Sequence, residues 1–103
     1  MGLDQYAFSR MPAKEAGIQW KGHDALHRWI IEHGGESNTP FQLRKLHINY
    51  LKKAIESPQF YVVDKILPSE ETLAELKEQD KGFIEWAKKE LAAGMEVWYD
   101  SWV

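Results

Sequence analysis

Apolar positions between Leu73 and Leu91 recur at spacings of three, four and seven. Leu73, Leu76, Phe83, Ile84, Ala87 and Leu91 thus form the stripe of an amphipathic helix. Ser69, after Pro68, suits its N-cap, and Glu70 and Glu71 suit the positive end of its dipole. Lys88 and Lys89 sit near the other end, and Gly94 suits the left-handed residue that closes a helix. Gly82, inside the stripe, costs about 1 kcal/mol relative to Ala. The sequence therefore predicts a kink there, or two helices meeting near Asp80–Gly82. Met95–Val103 is a dense run of Val, Trp and Tyr without helical period, and Glu96–Trp102 reads as a strand.

The remaining elements follow by the same periodicities. Gly2–Ser9 alternates, with Asp4, Tyr6 and Phe8 on one side and Leu3, Gln5 and Ala7 on the other, which predicts a strand. Pairing it with Glu96–Trp102 would bring the terminal segments together and place Asp4 near Asp100. Met11–Gly17 reads as a loop around Pro12, and Ile18–Trp20 as a short extended piece. His23–His33 is a helix with Leu26, Trp29, Ile30 and Ile31 on its apolar side, ended by Gly34-Gly35. Glu36–Pro40 is a polar turn. Phe41–Ser57 carries Leu43, Leu46, Tyr50, Leu51, Ala54 and Ile55 at helical spacing and closes at Ser57-Pro58, although Phe41–Lys45 also suits an extended start. Phe60–Val63 is β-branched and aromatic, a predicted strand. The expected fold is α+β: a small, mostly antiparallel sheet joining the two terminal strands with Phe60–Val63, packed on one side by about three helices.

Composition narrows the class without naming a function. At 103 residues, 44% hydrophobic and 28% charged, the chain is expected to form a single domain, residues 1–103, of ordinary soluble composition. It contains no cysteine, hence no disulfide, thiolate nucleophile or Cys-ligated metal. No apolar run approaches the ~20 residues of a membrane span. A net charge of -3 argues against general nucleic-acid binding, which rests on phosphate neutralisation. Five Trp with four Tyr and four Phe is a rich aromatic complement, suited to a small core or to binding hot spots.

Four constellations could carry chemistry. His23 and His27, four apart, share a helix face as paired metal ligands do, and Asp4 or Asp100 could supply a third ligand. The residue after His23 is Asp24 rather than the Glu of zinc-protease motifs, and His23 also stands where an N-cap would. Trp20-Lys21-Gly22-His23 leads into a helix N-terminus, a place that favours anions, although a connecting turn with a solvated lysine is the stronger explanation. On the terminal strand Trp98, Asp100 and Trp102 face one way and Tyr99 and Ser101 the other; one face covers the helices, and the other either offers a partner surface or is itself covered in a small twisted sheet. Arg28, Arg44, Lys45, Lys52 and Lys53 suit the solvated face of a helix better than a nucleic-acid footprint. No phosphate loop, dinucleotide fingerprint or nucleophile elbow is present, so no cofactor and no catalytic residue are expected.

The opening Met1-Gly-Leu-Asp-Gln-Tyr-Ala-Phe8, the segment Trp20…His23…Leu26-His27…Trp29 and the close Phe83-Ile…Ala87…Leu91-Ala-Ala-Gly94…Val97-Trp-Tyr-Asp-Ser-Trp102 resemble a family of small tailed-phage proteins common in cyanophages. That family typically starts Met-Gly-Leu-Asp, carries Trp-Arg-Lys-His before its first helix and ends Tyr-Tyr-Asp-Ser-Trp-Trp. Here Lys21-Gly22 replaces the basic pair, and the glycine-rich apolar loop of relatives is missing between Val63 and Phe83. The resemblance implies a phage origin, and with it the cytoplasm of an infected bacterium, but no activity. Some relatives are labelled phosphoglycerate kinase. That enzyme needs two substrate-binding domains and glycine-rich phosphate contacts, which 103 residues of this composition do not supply. The leading expectation is a binding module that engages a host or phage protein through Trp98, Tyr99, Asp100 and Trp102. The alternative is a small-ligand binder or modest enzyme built on Trp20, Lys21, His23, His27 and Asp4 or Asp100. A third is a nucleic-acid mimic using the acidic Glu70–Asp80 stretch.

Overall fold

The computed structural model describes residues 2–9 and 16–103. The chain runs β1 (Asp4–Ser9), β2 (Ala16–Lys21), α1 (Asp24–Glu32), β3 (Phe41–Leu43), α2 (Lys45–Ala54), a 3-10 turn (Pro58–Tyr61), α3 (Glu70–Ala92) and β4 (Val97–Trp102). The strands form one sheet in the order β2-β1-β4-β3 with every neighbouring pair antiparallel. The two terminal strands pair as expected, and they form its centre. Of the loop expected over Met11–Gly17, residues 11–15 lie outside the described residues, and Ala16 and Gly17 open β2.

Alternation assigns the faces. Gln5 and Ala7 of β1, Trp20 of β2, Leu43 of β3 and Val97, Tyr99 and Ser101 of β4 are buried. Against them pack Leu26, Trp29 and Ile30 of α1, Ile48 and Leu51 of α2, and Phe83, Ile84 and Ala87 of α3. The helix ends are closed by the predicted chemistry. Ser69 Oγ accepts the Thr72 N–H at the start of α3. At its end Gly94 takes φ +83, with Met95 N–H donating to the Glu90 carbonyl and Gly94 N–H to Leu91. The same paired closure ends α1, where Gly35 donates to Ile30 and Gly34 to Ile31.

Two expectations are corrected. Phe60–Val63 is not a sheet strand: Ser57 Oγ caps Gln59 N–H, Pro58 presets the first turn, and the segment coils into the 3-10 turn. Phe60 and Tyr61 are consecutive and both buried, which a two-sided strand would forbid. The sheet edge is instead filled by Phe41–Leu43, the extended start of the α2 segment. The alternative of two helices meeting near Gly82 is also overturned: α3 is one helix of 23 residues that runs through Gly82.

Candidate functional site

The outer face of the sheet collects the side chains that alternation turns away from the helices. Across β1 and β4 the register pairs Asp4 with Trp102, Tyr6 with Asp100 and Phe8 with Trp98. Lys21 and Gln19 of β2 lie beside Asp4 and Tyr6, and Gln42 of β3 beside Trp98. Tyr6, Phe8 and Trp98 are half-buried, and Trp102 is 68% exposed. None of these four aromatics belongs to the core cluster or packs against it. The result is an aromatic surface crossed by two carboxylates, Asp4 and Asp100, on the neighbouring central strands. Of the expected group Trp98, Tyr99, Asp100 and Trp102, the structure places Trp98, Asp100 and Trp102 on this outer face and turns Tyr99 inward, 1% exposed. Tyr6 and Phe8 join them, placed there by the alternation of β1 and its pairing with β4.

Beneath the sheet lies a polar network. His23 Nδ1 accepts the Leu26 N–H, so its proton sits on Nε2 and is donated to the Asp80 carboxylate, 3.0 and 3.1 Å from the two oxygens. Tyr61 donates its hydroxyl to the same carboxylate at 2.7 Å. Burial, and then the hydrogen bond to Asp80, push the Tyr61 hydroxyl well above its ordinary value, so it remains a donor. Asp80 is 1% exposed although it lies in mid-helix. It needs both donors, because an unpaired buried carboxylate is costly. A second chain starts at Gln5. Its Nε2 donates to the His23 carbonyl and to the Tyr99 hydroxyl, both at 3.0 Å, and its Oε1 accepts His23 N–H at 2.8 Å. Tyr99 lies 2.9 Å from His27 Nδ1, and His27 Nε2 lies 3.0 Å from Ser37 Oγ.

That second chain has the outline of a serine–histidine relay, but its protons run the wrong way. Burial raises the Tyr99 hydroxyl, with a smaller contribution from Asp100, against the opposing hydrogen bond from Gln5. Tyr99 is therefore a phenol that accepts from Gln5 and donates to His27 Nδ1. The His27 proton is left on Nε2, facing Ser37, where a general base would need a free lone pair. Burial also holds the His27 imidazole below its ordinary value.

The metal and ligand constellations do not assemble. His23 and His27 share a helix face but are turned to Asp80 and to Tyr99 with Ser37, and Asp4 and Asp100 stand on the far side of the sheet. Among the described residues no group of three potential ligands could hold a metal ion. The anion site at the start of α1 is already occupied by the protein: Gln5 Oε1 takes His23 N–H, the Gly22 carbonyl takes Asp24 N–H, and His23 Nδ1 takes Leu26 N–H. Lys21 is exposed beside Asp4, while Trp20 is buried edge-to-face on Phe83 at 4.9 Å. An open cavity of about 340 Å³ borders His23, Asp24, Tyr61, Asp64 and Thr72, and the His23 and Tyr61 side chains among them are spent on Asp80. Asp80 is likewise withdrawn from the acidic stretch that a nucleic-acid mimic would present. Arg28 is structural, donating to the Val62 and Phe60 carbonyls at 2.6 and 2.9 Å.

Fold and surface together define a two-layer α+β domain with helices on one side of the sheet and aromatic side chains on the other. Comparison with protein-family models, with curated proteins and with solved structures finds no match to this chain. No helix of the described residues is long and apolar enough to cross a membrane.

Proposed function

We propose that this protein is a binding module whose partner, a second protein, docks on the outer face of the sheet. One observation carries the reading: Tyr6, Phe8, Trp98 and Trp102 stand together outside the core while Gln5, Ala7, Val97, Tyr99 and Ser101, on the inward side of the same strands, are buried. Aromatic side chains offer large rigid contact area at little entropic cost, and they dominate binding hot spots. Asp100 places a charge within that surface, between Trp98 and Trp102, and Asp4 with Lys21 gives it a charged end. The tailed-phage resemblance makes the partner a host or phage protein, which binding would inhibit or redirect.

The test is capture from host lysate with the tagged protein, followed by calorimetry on the purified pair. One stoichiometric partner is expected, with Trp98→Ala and Trp102→Ala each weakening it by about thirtyfold, the scale of a hot-spot residue. A partner whose affinity is unchanged by either substitution and by Phe8→Ala overturns the assignment of the surface.

A further inference from the structure

Asp100 stands among aromatic residues on the outer face of the sheet. Trp98 and Trp102 lie two positions before and after it on β4, and Tyr6 is its direct partner on β1. Alternation turns all four to the same side. The Asp100 carboxylate is fixed, because Oδ1 accepts the Ser101 N–H at 2.8 Å. Trp98 is fixed too, its Nε1–H donating to Glu96 Oε1 at 3.2 Å. Among the described residues none of the three rings is paired with another aromatic ring, so their faces are open. Among the same residues the side-chain ion pair within 4.0 Å is His23–Asp80, and no cation touches Asp100. The Lys21 amine belongs to β2, two strands away and beside Asp4. A carboxylate only accepts hydrogen bonds, and the faces of aromatic rings carry negative partial charge. Both features call for the same occupant, a cation that donates.

We propose that Asp100, flanked by Tyr6, Trp98 and Trp102, receives an arginine side chain of the partner protein. The assignment rests on the outer sheet face being the docking surface, and it names the chemistry that docks there. A guanidinium is planar, stacks on aromatic faces and presents a fork of donors to a carboxylate, so one side chain uses every feature of the site. A neutral sugar would stack on the rings and gain a hydrogen bond but nothing from the charge. A divalent metal needs several oxygen ligands, where rings stand here.

The probe is an end-blocked glycine peptide with one central arginine, titrated while nuclear magnetic resonance follows the indole N–H signals of Trp98 and Trp102. Both should shift saturably, and the affinity should weaken with salt. The same peptide with citrulline, the uncharged isostere of arginine, should bind about tenfold or more weakly. Asp100→Asn should weaken the arginine peptide as much, because the amide oxygen can still accept the Ser101 N–H while the charge is gone. Glu78→Gln, which removes an equal charge from an exposed position of α3, should bind as the wild type does. If a melting curve shows that Asp100→Asn does not fold, Trp102→Ala, at an exposed position, replaces it with the same expected loss. The proposal is overturned by absent saturation, by equal binding of the citrulline peptide, or by unchanged affinity in the folded variant. Shifts of the same indoles by methyl β-glucoside, with none by the arginine peptide, would also overturn it, in favour of a neutral sugar. The partner captured from lysate separates the arginine site from the docking face itself. A partner weakened by Trp98→Ala but bound fully by Asp100→Asn keeps the face and removes the arginine site, whereas one indifferent to the Trp98, Trp102 and Phe8 substitutions removes both.

Discussion

Asp80 is the residue on which the interior turns. A carboxylate in the middle of a helix, 1% exposed, is held by the His23 Nε2–H and the Tyr61 hydroxyl, and it satisfies both of those buried donors in return. Asp80→Ala should therefore cost about 1–3 kcal/mol for each of the two buried donors it leaves without an acceptor, His23 Nε2–H and the Tyr61 hydroxyl. Urea denaturation measures it, and a loss under 1 kcal/mol would show that the network is not closed as described. Tyr99→Phe removes the hydroxyl between Gln5 and His27 and leaves a Gln5 N–H without an acceptor, for an expected loss of about 1–3 kcal/mol. Histidine sets the pH response. His27 is held below its ordinary value by burial, against a smaller opposing pull from Asp24, and His47 by burial and then by His33 and Arg44. Unfolded, each returns to about 6.5, so below that pH the unfolded chain takes up protons that the fold refuses. This contribution is complete above about pH 6.5 and is lost as pH falls through the folded values. His27→Gln should narrow the gap between melting temperatures measured at neutral and at mildly acidic pH. An unchanged gap would remove His27 from the account.

At the scale of elements, two glycines answer different demands. Gly82 sits in the interior of α3 with nothing within 4 Å of an added Cβ. Gly82→Ala should stabilise the protein by about 0.5–1 kcal/mol, because it restores helix propensity without a clash. A decrease would mean that α3 bends there after all. Gly17 is the opposite case. The register of β1 against β2 steps from Ala7↔Ile18 to Phe8↔Ala16, which makes Gly17 the extra residue of a β-bulge. The Trp86 indole of α3 lies where its Cβ would be. Gly17→Ala should destabilise by about 1–3 kcal/mol through overpacking. Combining it with Trp86→Ala should cost less than the two single losses added, because the clash is with that ring.

On the scale of the whole molecule, the strands furthest apart in sequence are the centre of the sheet. β4 is hydrogen-bonded to β1 on one side and to β3 on the other, and it contributes Val97, Tyr99 and Ser101 to the interior. Deleting residues 97–103 should abolish the fold rather than trim it, seen as loss of near-ultraviolet circular dichroism and of amide dispersion. A truncated chain that kept both would contradict this account. The same central pairing builds the proposed docking face, because no single strand holds its four aromatics.

Local chemistry made much of this legible. Apolar spacing, Ser69 and Gly94 place α3, and alternation places β1 and β4 with the correct residues sharing each face. These rules act over one turn or one strand, where the chain has few alternatives. What the residues alone left open was decided at long range. Whether Phe60–Val63 or Phe41–Leu43 completed the sheet depended on which could reach β4, and Pro58 with a Ser57 cap removed the first. That Tyr99 faces the helices and Trp98 does not, and that His23 meets Asp80 across 57 residues, followed only once the layers closed. Periodicity determines which side chains point the same way. Packing alone determines which way is inward, because that depends on what the rest of the chain has to cover.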